Sequence, residues 1–168
     1  PRPVGLAEVI ERDATVVSWY STYEPLALSV EDEGFAALAR RARSEGLSVT
    51  PLLVTTDVDV PVVAVAVHRA GGAWPRCAVG SGAGLDPAAA ARSGLAEALQ
   101  NWMELRAMGP EAAADEGGAI GEYAAFPDAA RAFVEREGSV PAASVGPDEV
   151  PTGAGRLRAL VQRVPDAG

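Results

Sequence analysis

The strongest secondary-structure signals of the chain lie in residues 47–108, which read LSVTPLLVTTDVDVPVVAVAVHRAGGAWPRCAVGSGAGLDPAAAARSGLAEALQNWMELRAM. Three short segments rich in β-branched residues come first, at 47–55, 61–69 and 76–80, and turn-forming residues separate them. Connections this short join consecutive antiparallel strands, because a parallel pair needs a much longer crossover. The stretch therefore predicts a small, mainly antiparallel sheet.

The same stretch ends in the longest helical pattern of the chain, predicted at 86–108. Asp86 is suited to cap its N-terminus, Pro87 suits its first turn, and Gly109-Pro110 ends it. Further helices are predicted at 3–14, from a Ser29 cap to Gly46, at 126–137 and, after a Thr152 cap, at 153–164. The predicted fold class is α+β, one domain in which helices pack on the small sheet.

The composition limits the classes of function. The 168 residues carry 23 acidic and 14 basic side chains, a formal net charge of −9, and every fixed positive charge is an arginine. This balance argues against nucleic-acid and anionic-membrane partners, which both need a basic surface. The single Cys77 and the single His68 argue against a disulfide framework and against a metal site built from several such residues. We expect a cytoplasmic protein, and the acid excess is typical of a salt-loving cytoplasm.

One face of the predicted 86–108 helix is polar. Its residues Ser93, Glu97, Gln100 and Glu104 follow one another at helical spacing and share one stripe. The opposite side is apolar and comprises Ala91, Leu95, Ala98, Leu99 and Trp102. Carboxylate and amide oxygens are ligands that Mg²⁺ prefers, usually together with nucleotide phosphates. A solvated surface explains the same pattern, and the spacing alone does not separate the two interpretations.

Residues 80–84, GSGAG, join the last predicted strand to this helix. Glycines at such a position let backbone amides approach a phosphate. The spacing, however, matches neither common phosphate-binding glycine motif, and the motif lysine is absent. We therefore interpret the segment as a tight structural turn. Asp57 and Asp59 are interpreted as turn residues, His68 as a sheet residue and Cys77 as a buried thiol.

Several motifs resemble the second half of the YcaO family. They are the TTDVDVP turn at 55–61, the Gly80-Ser81-Gly82 turn and the helix pattern Ser93-x-x-x-Glu97-x-x-Gln100. Glu11-Arg12-Asp13-Ala14 resembles the ERDA helix end of the family. The resemblance covers about residues 8–110, and the remainder is similar in style to members from halophilic archaea.

The resemblance implies an enzyme that depends on ATP and Mg²⁺ and acts on peptide backbone amides. Family members phosphorylate an amide oxygen, after which a Cys, Ser or Thr side chain forms an azoline or external sulfide forms a thioamide. Carried over to this chain, Glu97 binds the metal, while Ser93, Gln100 and Glu104 contact the nucleotide or metal-bound water. The implied partners are a peptide or protein substrate, a protein that delivers substrate or sulfur, and a second copy of the chain in a homodimer.

In the family, a facing helix of the form E-x-x-E-R completes the nucleotide site. We assign neither an E-x-x-E-R helix nor a Gly-Lys-Gly stretch to this chain, so we expect that half of the site to come from outside it. We also expect the 168 residues, which begin at Pro1 without a methionine, to be a single-domain fragment of a longer protein and inactive alone. The alternative is a non-catalytic scaffold that lost the nucleotide and binds a peptide as an added strand at an exposed sheet edge.

Overall fold

A computed structural model describes residues 3–20, 24–69, 71, 74–115, 124–125 and 134–164. The helices are α1 (Pro3–Tyr20), α2 (Glu33–Ser44), α3 (Pro87–Met108), α4 (Pro110–Asp115) and α5 (Ala154–Val161). The strands are β1 (Leu26–Ser29), β2 (Ser48–Leu53), β3 (Val62–His68), β4 (Cys77–Ala83) and β5 (Val140–Pro141), and a 3₁₀ turn follows at Ala142–Ser144. Within this description no helix is long and apolar enough to cross a membrane.

The five strands form one sheet in the order β4-β3-β2-β1-β5. The pairs β1–β2, β2–β3 and β3–β4 are antiparallel, and only β5 pairs in parallel, with β1. Short turns connect β2, β3 and β4, which is why these three strands are consecutive neighbours. The predicted fold class, a small and mainly antiparallel sheet packed with helices, is confirmed.

Helices cover both faces of the sheet, so β3 is buried along its whole length. Its residues Val63, Val65 and Val67 belong to one hydrophobic cluster, shared with α2 and α3. The alternate residues Val62 and Ala64 belong to a second cluster, shared with α1 and α5. Because successive side chains of a strand point to opposite faces, one continuous apolar strand supplies both cores.

The Gly80–Gly84 segment is not the tight turn that its glycines predict, because β4 continues through it to Ala83. Gly80 and Gly82 lie directly against the backbone of α3. A Cβ on Gly80 would lie 2.3 Å from the amide nitrogen of Ala98, and a Cβ on Gly82 would lie 2.3 Å from the carbonyl oxygen of Ala90. The glycines therefore allow close helix–strand packing, which residue-by-residue turn preferences do not reveal.

Helix ends differ from the prediction where tertiary contacts extend or shift them. α1 continues past residue 14 to Tyr20, and Ser29, the predicted cap of α2, is the last residue of β1. The cap of α2 is Asp32, whose carboxylate accepts the N–H of Phe35. The last helix begins after Gly153 instead of after a Thr152 cap. The 86–108 helix is confirmed, with Asp86 as its cap, and the prediction at 126–137 lies largely outside the described residues.

Candidate functional site

The polar stripe of α3 faces away from the core. Its residues Ser93, Glu97, Gln100 and Glu104 are all exposed. On the opposite side the buried residues are Ala91, Leu95, Ala98 and Trp102. The amphipathic arrangement predicted from the sequence is therefore present. The contacts of each polar side chain decide whether this face of α3 is a binding site or only a solvated surface.

Glu97 contacts the free edge of the sheet. Its Oε2 accepts a hydrogen bond of 2.7 Å from the backbone N–H of Ser81, at the middle of β4. β4 is the outer strand of the sheet, so this N–H has no neighbouring strand to bond. The contact fixes one oxygen of Glu97 beside Ser81, the central residue of Gly80-Ser81-Gly82.

A second carboxylate reaches the same residue from the other face of the sheet. Oε1 of Glu11, on α1, accepts a hydrogen bond of 2.6 Å from the Ser81 hydroxyl. Glu11 and Glu97 thus meet at Ser81, although α1 and α3 pack in different cores. Both helices pack on β4, and their two carboxylates bond the same residue at its edge.

The interpretation that the chain contains no E-x-x-E-R helix is wrong. Residues 8–12 read Glu-Val-Ile-Glu-Arg, which has the E-x-x-E-R spacing, and all five are on α1. Ile10 is buried in the core, while Glu8 is exposed and Glu11 half-buried beside Ser81. The structure therefore brings an E-x-x-E-R helix and the Glu97 helix together within one chain.

A cleft of about 470 Å³ opens beside Ser81 between α1, β4, α3 and α5. Its polar side chains are Glu8, Glu11, Ser81, Ser93 and Arg156. Arg156 comes from α5, so the cleft combines carboxylates, hydroxyls and one guanidinium. Glu97, Gln100 and Glu104 do not line it, and Glu97 contacts Ser81 from beside the cleft. The Nε2 of Gln100 donates a 2.9 Å hydrogen bond to Oε1 of Glu104.

The donor set fits a magnesium–nucleotide complex. Mg²⁺ is commonly held by one or two carboxylates, with water and substrate phosphates filling the other positions. Glu11 and Glu97 supply two carboxylates close to one residue, and the Arg156 guanidinium suits a phosphate. Among the described residues, no group of three or more His, Cys, Asp or Glu side chains could hold a metal ion by itself.

Residue spacing assigned Ser93 and Glu97 to this region but missed Glu11, Ser81 and Arg156. The ERDA resemblance included Glu11, and its position three residues after Glu8 was the available signal. Ser81 had no signal, since a serine between glycines is typical of a turn. Arg156 lies on a short helix whose position depends on packing against α1.

His68 and Cys77 are structural, as the sequence indicated. Burial lowers the pKa of His68 below 6.5, against an opposing attraction from Glu135, and the ring contacts the Thr50 hydroxyl at 3.1 Å. Burial raises the pKa of the Cys77 thiol to about 12. A protonated thiol is a poor nucleophile, and neither residue lines the cleft.

The family model described as YcaO cyclodehydratase, ATP- and Mg²⁺-binding, matches residues 4–168. The expected cofactors, ATP and Mg²⁺, are therefore confirmed as those of the family. No curated protein matches the chain.

Solved structures share the fold. YcaO from Methanopyrus kandleri, bound with AMPPCP and Mg²⁺, has a TM-score of 0.73 and 27% identity over 98% of this chain and 44% of that one. A heterocyclase in complex with substrate and cofactor has a TM-score of 0.75 and 20% identity over 95% of this chain and 22% of that one. The E. coli microcin synthetase McbBCD complex with pro-MccB17 has a TM-score of 0.60 and 14% identity, over 94% and 43% of the two chains. The chain thus spans less than half the length of each of these three proteins.

Proposed function

The chain belongs to the YcaO family, and on that premise we propose that it forms the ATP- and Mg²⁺-binding part of an enzyme that activates peptide backbone amides by phosphorylation. The observation that carries the proposal is the meeting of Glu11 and Glu97 at Ser81, beside a cleft that also contains Arg156. A metal–triphosphate complex is commonly bound by carboxylates that hold the metal and by a cation that contacts the phosphates. Here α1 and α3 each supply one carboxylate, and Arg156 supplies the cation.

In this proposal, Glu11 and Glu97 hold Mg²⁺ through their oxygens that do not bond Ser81. Ser93 contacts the nucleotide from the wall of the cleft, and Arg156 contacts the phosphates. Gln100 and Glu104 contact metal-bound water or a more distant part of the nucleotide as their hydrogen-bonded pair. Bound Mg²⁺ supplies the positive charge that stabilises the phosphate oxygens during phosphoryl transfer.

The proposed reaction has two steps. The amide oxygen of a peptide substrate displaces ADP from the γ-phosphorus of ATP, and a nucleophile then attacks the activated carbon and releases phosphate. An internal Cys, Ser or Thr side chain makes an azoline, whereas external sulfide makes a thioamide. The cyclodehydratase description of the family supports the azoline, and the nucleophile that the intact protein consumes distinguishes the two products.

The alternative, a scaffold that captures a peptide at an exposed strand edge, has less support at β4. The outward N–H of Ser81 donates to Glu97, and the outward C=O of Val79 accepts a 2.8 Å hydrogen bond from Nδ2 of Asn101. An added strand would have to displace both side chains, since strand addition depends on free backbone groups.

We propose, further, that the intact protein acts on a peptide delivered by a partner protein and works as a homodimer. The likeness to a multi-subunit synthetase with a bound precursor supports the partner.

The outer face of α1 exposes Val9, Val16 and Tyr20, and the exposed fraction of Tyr20 is 84%. Such a stripe supports burial against another chain, and sedimentation of the intact protein over a range of concentrations tests for the second copy.

The net charge of −9 supports a protein adapted to a salt-loving, archaeal type of cytoplasm. Dense carboxylates repel one another unless counterions screen them. We expect removal of KCl to lower the midpoint of thermal unfolding. A midpoint independent of KCl would contradict this part of the proposal.

The proposed function is tested by the stabilisation that Mg²⁺–ATP confers on the intact protein. A ligand that binds only the folded state at about 100 times its Kd stabilises by about 2.7 kcal/mol. We expect this thermal shift in the wild type and in Glu111→Gln, a matched charge change at an exposed residue of α4. We expect Glu97→Gln to lose most of it. An undiminished shift in Glu97→Gln would exclude Glu97 from the site.

A further inference from the structure

We propose that Ser81 is a positioning residue that holds both metal-binding carboxylates in their binding geometry before the metal arrives. The inference rests on the proposed function, because it names what orients Glu11 and Glu97. Ser81 itself contacts neither metal nor nucleotide in this role. It acts by donating one hydrogen bond to each carboxylate.

The two hydrogen bonds divide the oxygens of each carboxylate into one that is held and one that is free. The Ser81 hydroxyl donates to Oε1 of Glu11 at 2.6 Å, and the Ser81 N–H donates to Oε2 of Glu97 at 2.7 Å. Within the described part of the chain, Oε2 of Glu11 and Oε1 of Glu97 accept no hydrogen bond. Each carboxylate is thereby oriented while one oxygen remains open to a cation.

Ser81 is itself held in place from both sides. It pairs with Ala64 in the sheet, and its neighbours Gly80 and Gly82 lie against the α3 backbone so closely that no Cβ fits. Its position relative to Glu97 is therefore set by tight strand–helix packing. Glu11 is on a helix anchored by the buried Ile10 and Ala14.

A residue that hydrogen-bonds a metal ligand affects metal binding without contacting the metal. Groups that hydrogen-bond metal ligands fix ligand orientation, and their loss typically weakens metal binding by about 10- to 100-fold. A long Glu side chain at a surface loses rotamer freedom when it binds a metal. A donor that already restricts the side chain reduces that loss. The serine hydroxyl therefore increases the affinity for Mg²⁺ without touching it.

The test measures Mg²⁺-dependent binding of a non-hydrolysable ATP analogue to the intact protein by calorimetry. We expect Ser81→Ala to weaken the apparent Mg²⁺ affinity by about tenfold. Ser81→Thr keeps the hydroxyl and should bind like the wild type. Ser144→Ala is the matched control, because it removes another hydroxyl, which bonds the Pro141 carbonyl and does not line the cleft, and should leave Mg²⁺ affinity unchanged.

A double-mutant cycle separates positioning from a general structural effect. In a Glu11→Gln background, the further change Ser81→Ala should alter Mg²⁺ affinity by less than about twofold, because the hydroxyl acts through Glu11. An equal loss of Mg²⁺ affinity in both backgrounds would overturn the inference. It would also be overturned by wild-type Mg²⁺ affinity in Ser81→Ala, or by a tenfold loss of that affinity in Ser81→Thr. The proposed function fails separately, if Glu97→Gln and Glu11→Gln both bind the analogue with wild-type Mg²⁺ dependence.

Discussion

Asp32 and Arg92 form an ion pair that joins the N-terminus of α2 to the N-terminal part of α3, with 2.5 Å between Oδ2 and Nη1. The other oxygen of Asp32 accepts the N–H of Phe35 and so caps α2. The aliphatic part of Arg92 lies over Gly34, where a Cβ would be 2.6 Å from its Cδ. One carboxylate thus both begins a helix and attaches it to the helix that carries the candidate site.

Replacement of Asp32 by alanine should destabilise the protein by about 1 kcal/mol, because helix α2 loses its cap. The hydrogen bond from Phe35, followed by the contact with Arg92, lowers the pKa of Asp32 below 3.8. A lowered pKa contributes stability above pH 3.8, and that contribution is lost as the pH falls through the folded-state pKa. Urea unfolding measures the free energy of unfolding of the wild type and of Asp32→Ala. The difference between them should be smaller at acidic pH than at neutral pH.

Ser29→Ala is the control for this prediction. Ser29 lies in β1 and is exposed, so its loss should change the free energy of unfolding by less than about 0.5 kcal/mol. A larger effect at Ser29 than at Asp32 would contradict the assignment of the cap.

Gly82→Ala should destabilise the protein by about 3 kcal/mol or more, because the new methyl group would collide with the Ala90 carbonyl oxygen. Gly5→Ala, in α1, meets nothing within 4 Å and should stabilise slightly, by about 0.5 kcal/mol. Urea midpoints measure both changes. Similar midpoints for the two variants would show that β4 does not approach α3 as closely as described.

Acidification should destabilise the protein through His68. Burial lowers the folded-state pKa of this histidine, so the unfolded chain takes up its proton first as the pH falls through 6.5. The free energy of unfolding should therefore decrease between pH 7.5 and the folded-state pKa, with a slope of at most about 1.4 kcal/mol per pH unit. In His68→Gln this component of the slope should be absent. A slope that persists unchanged in the variant would assign the effect to other groups.

Cys77 should be inert in the folded protein. Its thiol is buried, with a pKa raised to about 12, so neither access nor ionisation favours reaction. A thiol reagent at pH 8 should label the protein only at the rate at which it unfolds, and at once in concentrated urea. Rapid labelling of the native protein would place Cys77 at the surface.

Most elements of the fold could be predicted, because their signals are local. The β-branched runs predicted β2, β3 and the first part of β4, and the Asp86-Pro87 start with the Gly109 stop predicted α3 within a residue. The last residues of β4 could not be predicted, since the fit of Gly80 and Gly82 against α3 depends on the partner helix. The continuation of α1 through Thr15, Val16 and Val17 likewise depends on packing, because β-branched residues have modest helix propensity.

The sequence by itself determined which side of α3 carries Ser93 and Glu97, because helical periodicity depends only on residue spacing. It also contained the E-x-x-E-R spacing of α1, on which Glu11 lies. Only the tertiary structure decided that Glu11 and Glu97 bond the same serine. These helices cover opposite faces of the sheet, and their carboxylates meet because β4 is its outermost strand and carries Ser81 between them. Contacts between residues so distant in the chain depend on strand order and packing, which no local pattern encodes.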